Sequence, residues 1–501
     1  MAGGRKFSGR LSAAVAAEAP APPRSRVRWL GESIGYIYVY LRSKLDAGER
    51  RRRLLEERSG AEALLAGALN EVGMTVLREG VQHADLTGLL EAIGRAHARR
   101  ESAAADTATS ESLQQTEGAR LGTHQAAAEA EWQAAVHYFD RNQFTLMLPR
   151  AGLTDSVQRR LDRNSADNQE RVRRLKQAFS EIDDAIKTPF LVLKGFANWD
   201  QFTADPMSRV QYDFDLYCPD TATARDALTR IGYESIQGGE KFPTDHLPAL
   251  VRKTGWQWRG DFFDPEIPLS VELHFRLWDE DTEGFPAPGM EQFWSRRVQQ
   301  NLDGRPYLAL HPVDALGYAA LHLLRHLLRG DIRAANVYEL AWFLNRNAAN
   351  DEFWSCWRDL HGPELRRLQA LCFRLAAAWF DCRLSPIAQA EVDALERPIR
   401  RWFDQCAASP AEAFFRPNKD ELWLHLCLLD TPSKKMSVLR RRLFPTRLPG
   451  PLDSVFIPDE RMTLGLRVRK RWEYGWYVAG RAAFHLRALL PTLSRMSRIR
   501  R

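Results

Sequence analysis

Two aspartates separated by one residue, Asp213 and Asp215, lie in an otherwise mostly apolar segment, residues 212–217. Successive side chains of a β-strand point to opposite faces, so both carboxylates share one face and Phe214 and Leu216 take the other. Neighbouring acids repel each other and weaken a strand unless a cation lies between them. Mg²⁺ binds carboxylates of this kind, usually one or two together with substrate phosphates. The pattern therefore indicates a divalent-cation site, although a D-x-D pair is also common in exposed loops without a function.

A second segment, residues 271–277, alternates between apolar residues and Glu272, His274 and Arg276. This alternation predicts a strand whose polar side chains share the face opposite the core. If the strand neighbours the first one, Glu272 supplies a third carboxylate, and three such acids can hold two metal ions for in-line phosphoryl chemistry. His274 shares the face of Glu272 and is a candidate for orienting a substrate or transferring a proton. A histidine that simply bonds a carboxylate on a solvated sheet face explains the pattern equally well.

Short elements of alternating type surround these acids. Hydrophobic periodicity and turn residues predict, in chain order, a helix over 165–187, a strand over 190–193, a short helix after Gly195, a strand over 211–218, a helix over 221–231 and strands over 250–259 and 268–277. From residue 312 to about 429 the chain has a helical pattern. This order of elements is typical of an α/β (α+β) core with a small mixed sheet, followed by a mainly α-helical domain.

The length of 501 residues is too great for one compact core, and a content of 45% hydrophobic and 27% charged residues is typical of a globular protein. We expect a disordered N-terminus (1–28), a helical N-terminal region with a flexible linker (29–130), the α/β domain (131–300), a helical domain (301–430) and a basic C-terminal tail (431–501).

The six scattered cysteines favour buried thiols in a reducing compartment. No apolar window of about 18 residues predicts a membrane span. We therefore expect a cytoplasmic protein, with the tail as a candidate for contact with the inner membrane.

Positive charge is concentrated in the tail. Residues 431–501 carry 17 Lys and Arg against 4 Asp and Glu, whereas the remaining residues carry 54 basic and 60 acidic side chains. Aromatic residues such as Trp472 and Trp476 lie among the arginines, so an anionic membrane surface or a nucleic acid is a candidate partner. An amphipathic helix with a solvated basic face is the alternative interpretation.

Further segments around the acids resemble a known family. Lys194 and Gly195 follow an apolar run, Arg209 precedes Asp213 by four residues, and residues 271–274 read Val-Glu-Leu-His. Together they resemble an uncharacterised bacterial nucleotidyltransferase family, whose hallmark is L-K-G, then R-x-x-x-D-x-D, then a hydrophobic-acid-hydrophobic-His strand. Similar stretches are residues 161–164, 321–326 and 338–342, so the resemblance covers roughly 155–345.

The resemblance implies a polymerase-β-like fold that transfers a nucleoside monophosphate from an NTP to an acceptor, which the sequence does not identify, with Mg²⁺ or Mn²⁺ as cofactor. By position, Asp213, Asp215 and Glu272 are then the catalytic, metal-binding carboxylates, and Gly195 lies in a turn beside the nucleotide phosphates. Lys194 and Arg209 are candidate phosphate contacts because each places positive charge near the polyphosphate. His274 is a candidate substrate-binding or supporting residue.

Two other interpretations remain open at this point. The wider superfamily has Gly-Ser where this chain has Gly195-Phe196, which favours a non-catalytic module that binds a nucleotide or takes part in assembly. The other interpretation is a basic membrane- or nucleic-acid-binding protein in which the α/β domain is only a scaffold. Separately, His322 and His326 share one face of a helix and could bind zinc, but ordinary packing in a leucine-rich helix also explains them.

Overall fold

The computed structural model describes residues 136, 139–147, 155–236, 245–413, 418–443 and 457–500. The expectations for residues 1–28 and 29–130 fall outside these ranges. No helix among the described residues is long and apolar enough to cross a membrane.

Seven strands and fourteen α-helices have defined bounds within these ranges, in addition to short 3₁₀ helices. The strands are β1 (Leu191–Val192), β2 (Asp213–Tyr217), β3 (Glu234–Ser235), β4 (Leu250–Val251), β5 (Ser270–His274), β6 (Val298–Leu302) and β7 (Arg305–Ala309). The helices are α1 (Asp155–Ala185), α2 (Trp199–Phe202), α3 (Thr221–Arg230), α4 (Glu280–Glu283), α5 (Pro312–Arg329), α6 (Ala334–Arg346), α7 (Asp351–Leu360), α8 (Pro363–Phe380), α9 (Pro386–Asp393), α10 (Arg397–Cys406), α11 (Ser409–Glu412), α12 (Asp420–Leu428), α13 (Pro432–Leu443) and α14 (Leu464–Arg500).

The strands form one mixed sheet in the order β3-β4-β5-β2-β1-β7-β6. Strand β2 is parallel to β5 and antiparallel to β1, and β1 is parallel to β7. In the register of β2 and β5, Asp215 lies opposite Glu272 and Asp213 lies opposite Ser270. The two acidic strands are therefore neighbours, and the mixed α/β character expected from the sequence is confirmed.

Two elements show the largest differences in extent from the sequence-based expectation, and β3, β6 and β7 lie where no strand was expected. Helix α1 begins at Asp155 instead of residue 165, because its buried stripe continues back through Leu161 and Val157. The strand expected over 250–259 ends at Val251. Gly255 in that segment has a φ of +84°, a left-handed conformation that does not continue a strand.

The sheet is packed on both faces. On one face, Phe214 and Leu216 of β2 lie in a buried cluster with Phe179 of α1. On the other, Leu191 and Leu193 belong to a larger cluster formed mostly by the helices after β7. Side chains alternate along β2, so Asp213 and Asp215 lie on the face covered by these helices.

Part of the basic tail contacts the preceding helices. Arg495 of α14 pairs with Asp420 at 2.6 Å, and the Thr492 hydroxyl accepts a 2.7 Å hydrogen bond from the backbone N–H of Lys419. The domain boundaries expected from the sequence remain predictions.

Candidate functional site

The buried carboxylate of Asp215 is at the centre of the site. Its side chain is only 2% exposed, whereas that of Asp213 is 34% exposed. Asp215 Oδ1 lies 3.3 Å from His274 Nε2, and Oδ2 lies 3.1 Å from Lys194 Nζ. Burial alone would raise the pKa of Asp215, but Lys194 and His274 hold it well below its ordinary value. Asp215 therefore remains ionised although little water reaches it.

Lys194 follows β1 and reaches both aspartates of β2. Its Nζ is 3.7 Å from Asp213 Oδ2, in addition to the contact with Asp215. Burial acts against a charge on this lysine, but the carboxylates of Asp213, Asp215 and Glu272 outweigh it and raise the pKa of Lys194. Nζ also lies 3.3 Å from Nε2 of His322 on α5. Lys194 is thus a fixed positive charge beside the acids.

A tight turn at Gly195 carries the chain away from β1. Gly195 has a φ of +76°, which L side chains adopt only with strain, and an added Cβ would overlap the side-chain amide of Gln211. Gln211 in turn donates a 2.8 Å hydrogen bond to the backbone oxygen of Asp213. A glycine here lets the backbone pass close to the residues that lead into the acidic strand.

Arg209 lies in the loop before β2 and contacts the helical region. Its Nε donates to Glu339 Oε1 of α6 at 2.5 Å. The loop is also held by Asn168 of α1, whose amide donates to the backbone oxygens of Met207 at 2.7 Å and Arg209 at 3.2 Å. The structure therefore places Arg209 in the loop that leads into the acidic strand, where it connects this loop to α6.

His274 is fully enclosed between two acids. Its Nε2 contacts Asp215, and its Nδ1 lies 3.4 Å from Oδ2 of Asp245, which itself pairs with Arg325 of α5. Burial alone would lower the pKa of His274, but the carboxylates of Asp215 and Asp245 beside it raise the pKa to about 9. Burial likewise opposes a charge on Asp245, yet His274 and Arg325 hold the pKa of Asp245 well below its usual range.

Sequence reasoning did not identify Asp245 or Arg325. Asp245 lies in a loop before β4, and no periodic pattern relates it to the acidic strands. Arg325 is one of several arginines in a helical pattern, and its burial depends on the packing of α5 over the sheet.

The residues of this site fit a divalent cation. One oxygen or nitrogen atom from each of Asp215, Glu272 and His274 lies within 4.8 Å of the others. Burial and the charges of Asp215 and Asp213 raise the pKa of Glu272, as expected when like charges lie close together. Among the described residues, neither His322 nor His326 belongs to a group of three or more such ligands. Their Nε2 atoms lie 3.2 Å apart, and His326 pairs with Asp331 at 3.1 Å.

A cavity of about 300 Å³ opens at the end of the acidic strand. Tyr217, two residues after Asp215 and on the same face, lines it and contacts the ring of Trp294 at 5.7 Å between ring centroids. Phe275 and Trp278 also line this cavity, as do the charged residues Arg276 and Glu280. An aromatic pocket therefore lies at the end of the strand that carries Asp213 and Asp215, although none of the site acids lines it.

Comparison with known proteins adds one finding to this geometry. A family model described as an uncharacterised nucleotidyltransferase matches residues 129–381, about half of the chain, and this range contains every strand and every site residue named above. No curated protein and no solved structure matches the chain significantly. The chain therefore belongs to the uncharacterised nucleotidyltransferase family.

Proposed function

We propose that this protein transfers a nucleoside monophosphate from an NTP to an acceptor and requires a divalent cation, Mg²⁺ or Mn²⁺. The main support is the pairing of β2 with β5, which places Asp215 opposite Glu272 and leaves Asp213 on the same face. Lys194 beside these acids and the family assignment agree with a site for a polyphosphate. The overall fold we propose is polymerase-β-like, with the helices after β7 forming a separate domain.

In this proposal Asp213, Asp215 and Glu272 hold the cation, which when bound neutralises charge that develops on the phosphates. Lys194 and Arg209 contact phosphate oxygens, and Gly195 lets the backbone approach them closely. A nucleophile of the acceptor attacks the α-phosphorus in line and releases its proton to water. The bond between the α-phosphorus and the bridging oxygen then breaks, and pyrophosphate leaves.

The aromatic cavity at Tyr217 is a reasonable place for the acceptor or the nucleobase. It opens at the end of the strand that carries the carboxylates, and its ring-lined wall with a few charged groups is typical of small-molecule sites.

A non-catalytic nucleotide-binding or assembly module on the same fold is the second candidate, and one observation favours it. Phe196, at the position after the turn glycine, is buried and contacts Phe179 and Tyr307 at 4.7 and 5.2 Å between ring centroids. The ring contributes to the core and offers no hydroxyl to a phosphate. This module would bind an NTP without transferring its nucleotide.

Calorimetry with an NTP, with and without Mg²⁺ or Mn²⁺, tests the proposal. The wild-type protein should bind an NTP only with the cation, and the double variant Asp213→Asn with Asp215→Asn should lose this binding while its circular dichroism is unchanged. Asp226→Asn is the matched control, because Asp226 is an exposed aspartate away from the site and pairs with Arg225 at 2.9 Å. Equal NTP affinity in the double variant would remove the carboxylates from the proposal.

Turnover separates the two candidates. Release of pyrophosphate in the presence of cell-extract acceptors, with the α-phosphate label retained on an acceptor, supports the transferase. Cation-dependent NTP binding without any label transfer supports the module.

We propose a separate role for the basic tail. Arg467, Arg471, Arg481 and Arg487 of α14 are exposed, so they are available to an anionic membrane surface or a nucleic acid. The charge of this helix would attract a polyanion locally, since exposed charges are screened beyond about 8–10 Å at physiological salt.

A further inference from the structure

We propose that the metal position of this site has mixed nitrogen and oxygen ligands from Asp215, Glu272 and His274, and that it binds a divalent transition-metal ion such as Zn²⁺ in preference to Mg²⁺. This inference deepens the proposed function and rests on it for the use of the ion. It amends the ligand set given under the proposed function, because His274 takes the place of Asp213, and it changes the expected preference away from Mg²⁺.

The first argument is the position of the imidazole nitrogen. His274 Nε2 lies 3.3 Å from Asp215 Oδ1 and 3.8 Å from Glu272 Oε2. Three donor atoms from two adjacent strands thus face one another, whereas Asp213 is outside this group of mutually close ligands. A metal ion at this point would replace the proton that Nε2 shares with the carboxylates.

The second argument is the support behind His274. Its other nitrogen, Nδ1, faces the carboxylate of Asp245, and Asp245 is held by Arg325. Metal-binding histidines almost always present their second ring nitrogen to a carboxylate or a carbonyl, which fixes the tautomer and the ring orientation. Asp245, His274 and the proposed ion form this arrangement.

A second imidazole is close to the same carboxylate. His246 Nδ1 lies 2.6 Å from the backbone oxygen of Leu247, so this nitrogen carries the proton in the neutral ring. Its Nε2 is then the acceptor, and it lies 3.9 Å from Glu272 Oε2. His246 therefore offers a further nitrogen donor close to Glu272.

The third argument is that the two carboxylate oxygens of Asp215 face different positive groups. Oδ1 faces His274, while Oδ2 faces the ammonium of Lys194, which also reaches Asp213. Lys194 thus compensates the two aspartates on one side and leaves the His274 side for the ion. Asp215 is 98% buried, and its Oδ2 accepts no hydrogen bond of normal geometry in spite of this ion pair.

The donor set determines the expected selectivity. Mg²⁺ prefers oxygen ligands and water, whereas imidazole nitrogen favours Zn²⁺ and related first-row ions. One imidazole among two carboxylates should therefore shift the preference away from Mg²⁺.

Electron paramagnetic resonance with Mn²⁺ as the probe tests this on the full-length, metal-free protein. Bound Mn²⁺ should show spin-echo modulation from imidazole ¹⁴N, and labelling the histidines with ¹⁵N should change the pattern. Zn²⁺ should displace the Mn²⁺ at a concentration roughly a hundredfold lower than Mg²⁺, given the affinity order of these ions for nitrogen-containing sites. The labelling experiment needs no variant, so it decides the question even if a substitution prevents folding.

Variants locate the nitrogen. His274→Gln should lose the modulation and weaken Zn²⁺ binding roughly tenfold or more, while Asp213→Asn keeps the modulation. His361→Gln is the matched control, because His361 is also buried and bonded to an aspartate, Asp314, at 3.1 Å. Oxygen-only ligation in the wild type, or modulation that survives in His274→Gln, would overturn the inference.

The outcomes also separate this inference from the proposed function. Cation-dependent nucleotide transfer with oxygen-only ligation would leave the function standing and remove the nitrogen ligand. A nitrogen-bound ion in a protein that binds no NTP would support the nitrogen ligand and refute the proposed function.

Discussion

Replacement of Lys194 by methionine removes the ammonium group that lies between two carboxylates of the proposed site. Methionine keeps a similar length and apolar stem, so the substitution changes charge more than packing. The carboxylate of Asp215, 2% exposed, then has no lysine partner, and Asp213 loses the same contact. We expect the metal-free variant to be less stable than the wild type.

The distances set the size of the effect. With an effective dielectric constant of about 20, ion pairs at 3.1 and 3.7 Å contribute roughly 5 and 4 kcal/mol of Coulomb energy. Loss of water from the buried groups offsets several kcal/mol for each ion, and removal of one partner of a buried pair typically costs about 3–5 kcal/mol. Since His274 still compensates Asp215 in the variant, we expect the lower end, about 3 kcal/mol.

Urea unfolding of metal-free protein measures this difference, and a divalent cation should recover most of it. An ion at a hundredfold excess over its Kd stabilises the folded state by about 2.7 kcal/mol. The recovery should be larger in Lys194→Met than in the wild type, because the ion no longer meets the lysine charge. Lys176→Met is the control. Lys176 pairs with Asp303 at 2.8 Å, but Asp303 is 64% exposed, so the loss of this pair should change stability by less than about 1 kcal/mol.

The charge argument fails if Lys194→Met is as stable as the wild type without metal. It also fails if the variant is destabilised but the cation restores no more stability than it adds to the wild type. The first result would mean that the acids are compensated by other groups, and the second that the loss comes from packing.

Three further predictions concern other parts of the chain. Gly195→Ala should be destabilised by more than the roughly 1–2 kcal/mol that a left-handed residue costs, because its Cβ also overlaps Gln211. Gly232→Ala is the control, since Gly232 has a φ of +90° and open space around it, so this variant should show the backbone strain alone. Equal urea midpoints for the two variants would refute the overlap. Burial lowers the pKa of His425 from 6.5 to about 4, and its Nε2 bonds the Glu283 carbonyl at 2.7 Å. Between these pH values the unfolded state therefore binds one more proton at this histidine than the folded state does. The contribution of His425 to the free energy of unfolding is fully present above about pH 6.5 and falls by about 1.4 kcal/mol per pH unit toward pH 4. His425→Gln should remove this part of the pH dependence, and curves of unfolding free energy against pH that run parallel for variant and wild type would contradict the prediction. Replacement of four exposed arginines of α14 by serine should weaken sedimentation of the protein with anionic vesicles and reduce the salt dependence of this binding, without changing NTP affinity. These residues are Arg467, Arg471, Arg481 and Arg487. Unchanged vesicle binding would place the polyanion site elsewhere.

Much of the local arrangement could be predicted from the sequence. The i, i+2 spacing of Asp213 and Asp215 places both on one face of a strand, and the alternation around Glu272 does the same for β5, because side-chain direction in a strand depends only on the backbone repeat. The turn at Gly195 was also predicted, since a glycine after an apolar run is a local signal. Element ends were less accurate, as β4 shows, because a short strand depends on its partner more than on its own residues.

The composition of the site depends on tertiary structure. Only the pairing of β2 with β5 places Asp215 opposite Glu272, and only the loop before β4 brings Asp245 to the back of His274. Helix α5 then covers the acids and supplies Arg325 and His322. These contacts join residues far apart in the chain, and their formation depends on which apolar faces pack together, so no local pattern encodes them. The sequence by itself therefore determined which residues carry negative charge and which face they share, whereas the tertiary structure decided which positive and imidazole groups meet that charge.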